Sequence, residues 1–156
     1  MHRYTEIAIG AIVDKLPVAA EVRWAHDKGD RLVAMQRLAH LSGLAYLTES
    51  YLNVHPEFGP WIALRAVLVL SVPAPDGPST DLPHPCGTCA GKCLPAFERA
   101  LQAIRGDLTS RAVEARWEDW LAIRDACPTG RKHRYSEPQI LYHYTKNRSI
   151  LLEETR

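Results

Sequence analysis

The chain has 156 residues, 46% hydrophobic and 24% charged, with a net charge of +1 at neutral pH. That length and balance are those of one compact globular domain, two at most. Near-neutrality removes the electrostatic reason to expect nucleic acid or an anionic membrane surface as partner, and the basic cluster Arg131, Lys132, His133 and Arg134 is short enough to be a solvated turn.

Tyr4 to Leu16 predicts a helix closed by Pro17. Its apolar stretch, Ile7 to Val13, is too short to span a bilayer and lacks the basic start and cleavage site of a signal peptide. The expected compartment is the cytoplasm, where four cysteines point to metal or redox chemistry before disulfides. Val18 to Trp24 predicts a short strand and Asp27-Lys28-Gly29-Asp30 a turn. Arg31 to Leu47 predicts a long helix, with Ala34, Met35, Leu38, Leu41, Ser42 and Ala45 on one face and Val33, His40 and Leu44 on another. Apolar on two sides, it is expected to be sandwiched.

Tyr51 to Val54 predicts a strand, turned by His55-Pro56-Glu57-Phe58-Gly59-Pro60 into Trp61 to Val72. That second run, rich in Val, Leu and Ile, reads as a strand buried on both faces, and the two are expected to pair antiparallel at a sheet centre. Pro73 to Pro85, with Pro75, Pro78 and Pro83 between, predicts an extended connection into the cysteines. Pro95 to Ile104, Ser110 to Ala126 and Glu137 to Lys146 predict helices. The order is that of an α+β fold: an α+β core over 1–75, then a cysteine loop and helical tail over 76–156 around a metal site, compact as a whole.

Cys86-Gly87-Thr88-Cys89-Ala90-Gly91-Lys92-Cys93 packs three thiols into one short loop, and Cys127 is followed by Pro128. The small intervening residues let the backbone curl so that the sulfurs face inward. Three clustered cysteines plus a distant Cys-Pro make one ferredoxin-type ligand set, here with three residues instead of two between Cys89 and Cys93. A [4Fe–4S] cluster, a structural Cys₄ zinc site and a set of free or redox-paired thiols all satisfy this pattern.

Arg65 is the single charge in the run from Trp61 to Val72, so it needs either an acidic side chain or an anionic ligand. Trp117, Trp120, Leu121 and Arg124 fall on one helical stripe, which is usually core, with Arg124 placed to serve a ligand or the cysteine centre. His40 on an apolar helix is more often a satisfied core histidine than a ligand. No Gly-rich phosphate loop, Ser-His-Asp set or paired catalytic carboxylates stand out, so no catalytic residue is assigned.

Two blocks, Ala39-His40-Leu41-Ser42-Gly43-Leu44-Ala45-Tyr46 and His55-Pro56-Glu57-Phe58-Gly59-Pro60-Trp61-Ile62-Ala63-Leu64-Arg65, resemble the central segment of the CblC family of cobalamin-processing proteins. Trp117-Glu118-Asp119-Trp120, Arg124-Asp125-Ala126 and Arg134-Tyr135-Ser136-Glu137 are similar to the same family's later part. The stretch from His55-Pro56 to Cys86-Gly87-Thr88-Cys89 also resembles epoxyqueuosine reductase, a corrinoid enzyme whose cobalamin domain leads into ferredoxin clusters.

The resemblance spans about residues 31 to 145 in separate blocks. It implies a pared-down nitroreductase-like antiparallel sheet and a base-off corrinoid bordered by His40, Tyr46, Phe58 and Trp61. It also implies glutathione or another thiol held by Arg65 and Arg124, and removal of the upper ligand of cobalt. Both families begin with further N-terminal strands, so the corrin platform is expected to be incomplete or finished across a homodimer. The best-known CblC members lack the four cysteines, Leu47 and Thr48 stand where they carry paired tyrosines, and flavin is not expected. The resulting expectation is an iron–sulfur protein that reduces cobalamin or strips its upper ligand, fed by a redox partner protein. The alternative is an electron-transfer or partner subunit that binds no corrinoid.

Overall fold

The computed structural model describes residues 2–74, 76, 84–87, 89–147 and 149–150. Among them the chain forms α1 (His2–Val13), β1 (Ala20–Trp24), α2 (Met35–Leu41), β2 (Tyr46–Leu47), β3 (Asn53–Val54) and β4 (Ala66–Leu70). After the cysteine loop come α3 (Leu94–Ala103), α4 (Ser110–Ala115), α5 (Trp117–Asp125) and α6 (Glu137–Thr145). The mixture of helices with small antiparallel sheets is α+β. The expected proline-rich connection falls mostly outside the described residues, as does the boundary expected near residue 75.

The strands pair differently from the expectation. β1 pairs antiparallel with β4, from Ala20 opposite Leu70 to Trp24 opposite Ala66, and Ala25 N–H to Arg65 O (2.8 Å) adds one more rung. β2 pairs instead with β3, Tyr46 opposite Val54 and Leu47 opposite Asn53. Hydrophobic runs identify strands but not their partners; here local turns decide. Tyr51 takes a left-handed conformation (φ 58°) and Thr48 N–H donates to Leu52 O (2.9 Å), closing a tight hairpin between β2 and β3. A bridge between His55 and Gly59 then reverses the chain, so residues 61–65 run as irregular backbone before β4 begins. β4 is half-buried to exposed along its length, not covered on both faces.

The long helix expected over Arg31 to Leu47 is reduced to the seven residues of α2. Upstream, Arg31 donates to Glu21 (3.0 Å), Asp27 (3.2 Å) and the Val22 carbonyl (2.7 Å), which ties its segment to β1 instead of a helix. Downstream, Gly43 at φ 73° ends the helix, and Leu44 and Ala45 N–H both donate to Ala39 O. Nor is α2 sandwiched: Ala39 is buried, but Leu38, Leu41 and Leu44 stay exposed beside a groove that includes Leu64 and Val67.

The helical half follows its sequence signals more closely. α3 begins with Pro95 in its first turn, and α6 is opened by Ser136 N–H donating to Gln139 Oε1 (3.2 Å). The single helix expected over Ser110 to Ala126 is broken at Arg116 (φ −125°), whose Nε pairs with Asp119 in the next turn (2.9 Å). α3 and α5 pack against each other around Cys93, Ala96, Ala100 and Ile123, with Phe97 and Trp120 edge to face at 6.3 Å. The two alanines let the helix backbones approach closely. Each buried residue of this small core contributes about 1–3 kcal/mol.

Candidate functional site: a thiol centre beside an arginine-lined cavity

Cys93 is the N-cap of α3 and Cys127 follows directly on the C-cap of α5, so the helix pair brings these two distant thiols together. The loop in front of α3 supplies the others. Cys89 N–H donates to Cys86 O (3.2 Å), and Ala90 and Gly91 both take left-handed backbone (φ 51° and 66°). Those two residues absorb the extra spacing before Cys93. A left-handed alanine is strained by about 1–2 kcal/mol, a cost characteristic of functional loops.

Cys89, Cys93 and Cys127 are buried and Cys86 is half-buried. Burial, then the neighbouring Cys89, Cys93 and Cys127, push the Cys86 thiol up to about 11. Burial likewise pushes Cys127 up, against hydrogen bonds from the Thr129 amide and hydroxyl that favour its thiolate. The four sulfurs therefore lie within electrostatic reach of one another, and several thiolates coexist there only beside a cation. Among the described residues no group of three or more Cys, His, Asp or Glu is arranged as a ready-made seat for a metal ion. A metal would have to draw the thiols inward as it binds. The donor set is all sulfur with hydroxyl and amide hydrogen bonds behind it, which suits a thiolate-bound metal centre.

On the other side of β2 lies an open cavity of about 710 Å³. Arg37, Arg65, Arg124, His143 and Asn53 line it, and no Asp or Glu does among the described residues. Arg124 is 8% exposed, and its Nε (3.2 Å) and Nη2 donate to the Pro60 carbonyl. Its guanidinium lies 4.6 Å from the Trp61 ring centroid and 5.4 Å from that of Tyr135. Burial, then Arg124, Lys146 and Arg65, push His143 down to about 4, so it is neutral at pH 7. Asn53 Nδ2 donates to the Gln36 (3.0 Å) and Ala45 (3.4 Å) carbonyls, which fixes the amide orientation. Its buried Oδ1 has no hydrogen-bond partner among the described residues. The cavity thus offers cationic donors together with one buried acceptor.

The structure brings Arg65 and Arg124 onto one cavity but disperses the residues expected around a corrin. His40 Nδ1 accepts from Leu47 N–H (3.2 Å) and its ring sits edge-on to Tyr46 at 5.0 Å. Tyr46 in turn lines a cavity of about 280 Å³ with Cys86, Cys93 and His84. Trp61 is buried beneath Arg124, and Phe58 packs between His55 (4.8 Å) and His133 (4.7 Å). Among the described residues Leu47 alone borders both the thiol-side cavity and the arginine-lined one. Ser50, Asn53, Thr129 and His143 escaped the sequence reading. Single small polar residues and a histidine on an ordinary helix have no spacing signature.

No protein-family model matches the chain. It is similar to proteins named cyanocobalamin reductase / alkylcobalamin dealkylase: 27% identical to that of Homo sapiens and 28% to that of Bos taurus, each over 88% of this chain, and 26% to that of Mus musculus over 72%. The chain spans about half the length of the human and bovine relatives, 49% and 50%, and 40% of the mouse protein.

Proposed function

We propose that this chain is an iron–sulfur protein of the corrinoid-processing type, which reduces cobalamin or removes its upper ligand. The observation that carries the reading is the juxtaposition at Leu47, which borders both a cavity lined by Cys86 and Cys93, with Cys89 and Cys127 in electrostatic reach of Cys86, and a cavity lined by cations. The likeness to cyanocobalamin reductase / alkylcobalamin dealkylase supplies the substrate class. The ligand set is Cys86, Cys89, Cys93 and Cys127, as the ferredoxin-type spacing of three clustered cysteines plus a distant Cys-Pro suggests, and a [4Fe–4S] group bound there would supply single electrons.

The residues of the chain divide the work. Arg65 and Arg124 hold the carboxylates of an anionic ligand such as glutathione, and Asn53 Oδ1 accepts from a ligand N–H. Trp61 and Pro60 hold the Arg124 guanidinium in place before a ligand arrives. One electron delivered to Co(III) weakens its bond to the upper ligand, which departs with the bonding pair; a redox partner protein restores the electron. Completion of the corrin platform by a second copy of the chain belongs to the same proposal.

The dispersal of His40, Tyr46, Phe58 and Trp61 favours a second reading, an electron-transfer or partner subunit that binds no corrinoid. One experiment separates the two. The protein is purified and reconstituted anaerobically with iron and sulfide, and cyanocobalamin is added under reducing conditions. Broad visible absorbance with four irons per chain, followed by conversion of the corrin spectrum to the base-off Co(II) form, is expected. An intact centre with an unchanged corrin spectrum leaves the electron-transfer reading, and a colourless zinc-loaded protein removes the iron–sulfur assignment.

A further inference from the structure

Behind Cys93 stands a short run of hydroxyl groups that a buried thiol would not need. Ser50, 3% exposed, donates from Oγ to Cys93 Sγ at 3.2 Å. Thr48 Oγ1, also buried, lies 3.0 Å from Ser50 Oγ and accepts from Leu52 N–H at 3.2 Å. The proton of Thr48 has two acceptors in reach, Ser50 Oγ and the Leu52 carbonyl at 3.1 Å. With Ser50 committed to the sulfur, directing the Thr48 proton onto Ser50 aligns every donor toward Cys93: Leu52 N–H to Thr48, Thr48 O–H to Ser50, Ser50 O–H to sulfur. Aligned chains of this kind polarise one another and strengthen the terminal bond. The hairpin between β2 and β3 builds the chain, since Tyr51 at φ 58° closes the turn with Ser50 inside it and leaves the Tyr51 side chain exposed.

We infer that Ser50, backed by Thr48, is a positioning residue of the thiolate centre that sets its reduction potential by hydrogen-bonding the Cys93 sulfur. The inference rests on the iron–sulfur reading. Reduction adds negative charge that spreads onto the thiolate ligands, so a donor aimed at sulfur stabilises the reduced form more than the oxidised one and raises the potential. The position of Cys93 at the N-terminus of α3 acts in the same direction, through the positive end of that helix. The sulfur that receives this side-chain hydrogen bond is that of Cys93, and added charge is stabilised there.

The test is a mediated redox titration of the full chain, reconstituted anaerobically with iron and sulfide and followed by visible absorbance and by the EPR signal of the reduced centre. Ser50→Ala is expected to retain the parental iron and sulfide content but to titrate at a lower midpoint potential. Thr48→Val is expected to shift the potential the same way by less, and Thr48→Ser, which keeps the hydroxyl, to restore the parental value. Parental potentials in both Ser50→Ala and Thr48→Val, with the centre intact, overturn the inference. If Ser50→Ala fails to fold, Thr48→Val against Thr48→Ser decides alone. If the unaltered protein assembles no iron–sulfur chromophore at all, the parent reading fails before the inference is reached.

Discussion

Gly59 and Gly130 touch backbone to backbone. A Cβ on Gly59 would overlap the Thr129 carbonyl, and a Cβ on Gly130 would overlap the main chain of Phe58 and Gly59; both glycines are left-handed (φ 57° and 71°). This contact holds the turn carrying Pro60 and Trp61 against the loop carrying Cys127 and Thr129, and so sets the arginine-lined cavity relative to the thiol centre. Gly59→Ala and Gly130→Ala are each expected to cost about 2–4 kcal/mol, because the overlap is with backbone that cannot swing aside. Gly59→Ala should also lower the iron bound per chain by displacing Thr129. Urea unfolding and metal analysis on the same samples check both.

Single replacement of Cys86, Cys89, Cys93 or Cys127 by Ser is expected to abolish or sharply reduce the visible absorbance and to lower stability, since assembly of the centre is coupled to folding. Cys93→Ser should be the most damaging to the apo fold, because Cys93 belongs to the core between α3 and α5. Full cluster content in a Cys127→Ser protein would remove the fourth ligand from the proposal.

Arg65 and Arg124 should both be needed for anion binding in the cavity. Arg124→Ala deletes two hydrogen bonds to Pro60 and stacking on Trp61 and Tyr135, and is expected to destabilise by about 2–4 kcal/mol. Arg65→Ala is expected to weaken glutathione binding about tenfold or more, the loss of a charge-assisted hydrogen bond. Titration calorimetry with glutathione, beside thermal melts, reads both; unaltered affinity in Arg65→Ala would refute a shared anion site.

His143 carries a pH signature. Its folded value, about 4, lies below the ordinary 6.5, so the fold prefers the neutral ring. The stability contribution is fully present above pH 6.5 and is lost as pH falls from 6.5 to 4, where the unfolded chain binds the proton first. Solvent screening of this half-buried group reduces the loss to about 1–2 kcal/mol. His143→Gln should flatten that slope between pH 6.5 and 4.5 in denaturant titrations. An identical slope in the variant would assign the effect to other groups.

The helices after the cysteines were legible where the signal is local, as with Pro95 at the start of α3, but the break at Arg116 between α4 and α5 has no such signal. The cysteines and Arg65 were legible as chemistry out of place in their surroundings. Strand pairing was not, because β2 lay inside an apparent helix and its pairing depends on a left-handed Tyr51 that no propensity announces. His40, placed near the corrin by resemblance, accepts at Nδ1 from Leu47 N–H, a contact set by the turn at Gly43 that no sequence pattern announces. Ser50 and Asn53 matter through what they face, and position in space is invisible to a pattern search.

The placement of Cys93 before α3 and Cys127 after α5 has a consequence for the unfolded chain. Joining these sulfurs through one inorganic centre closes a loop of about 34 residues, which removes on the order of 4 kcal/mol of chain entropy from the disordered ensemble. The centre would therefore act as a reversible crosslink around the α3–α5 hairpin, resisting mechanical or thermal separation of the two helices for as long as it stays assembled. Exposure to an oxidant that dismantles it would release the hairpin all at once, and the helical half of the protein would become a substrate for proteases on the same timescale.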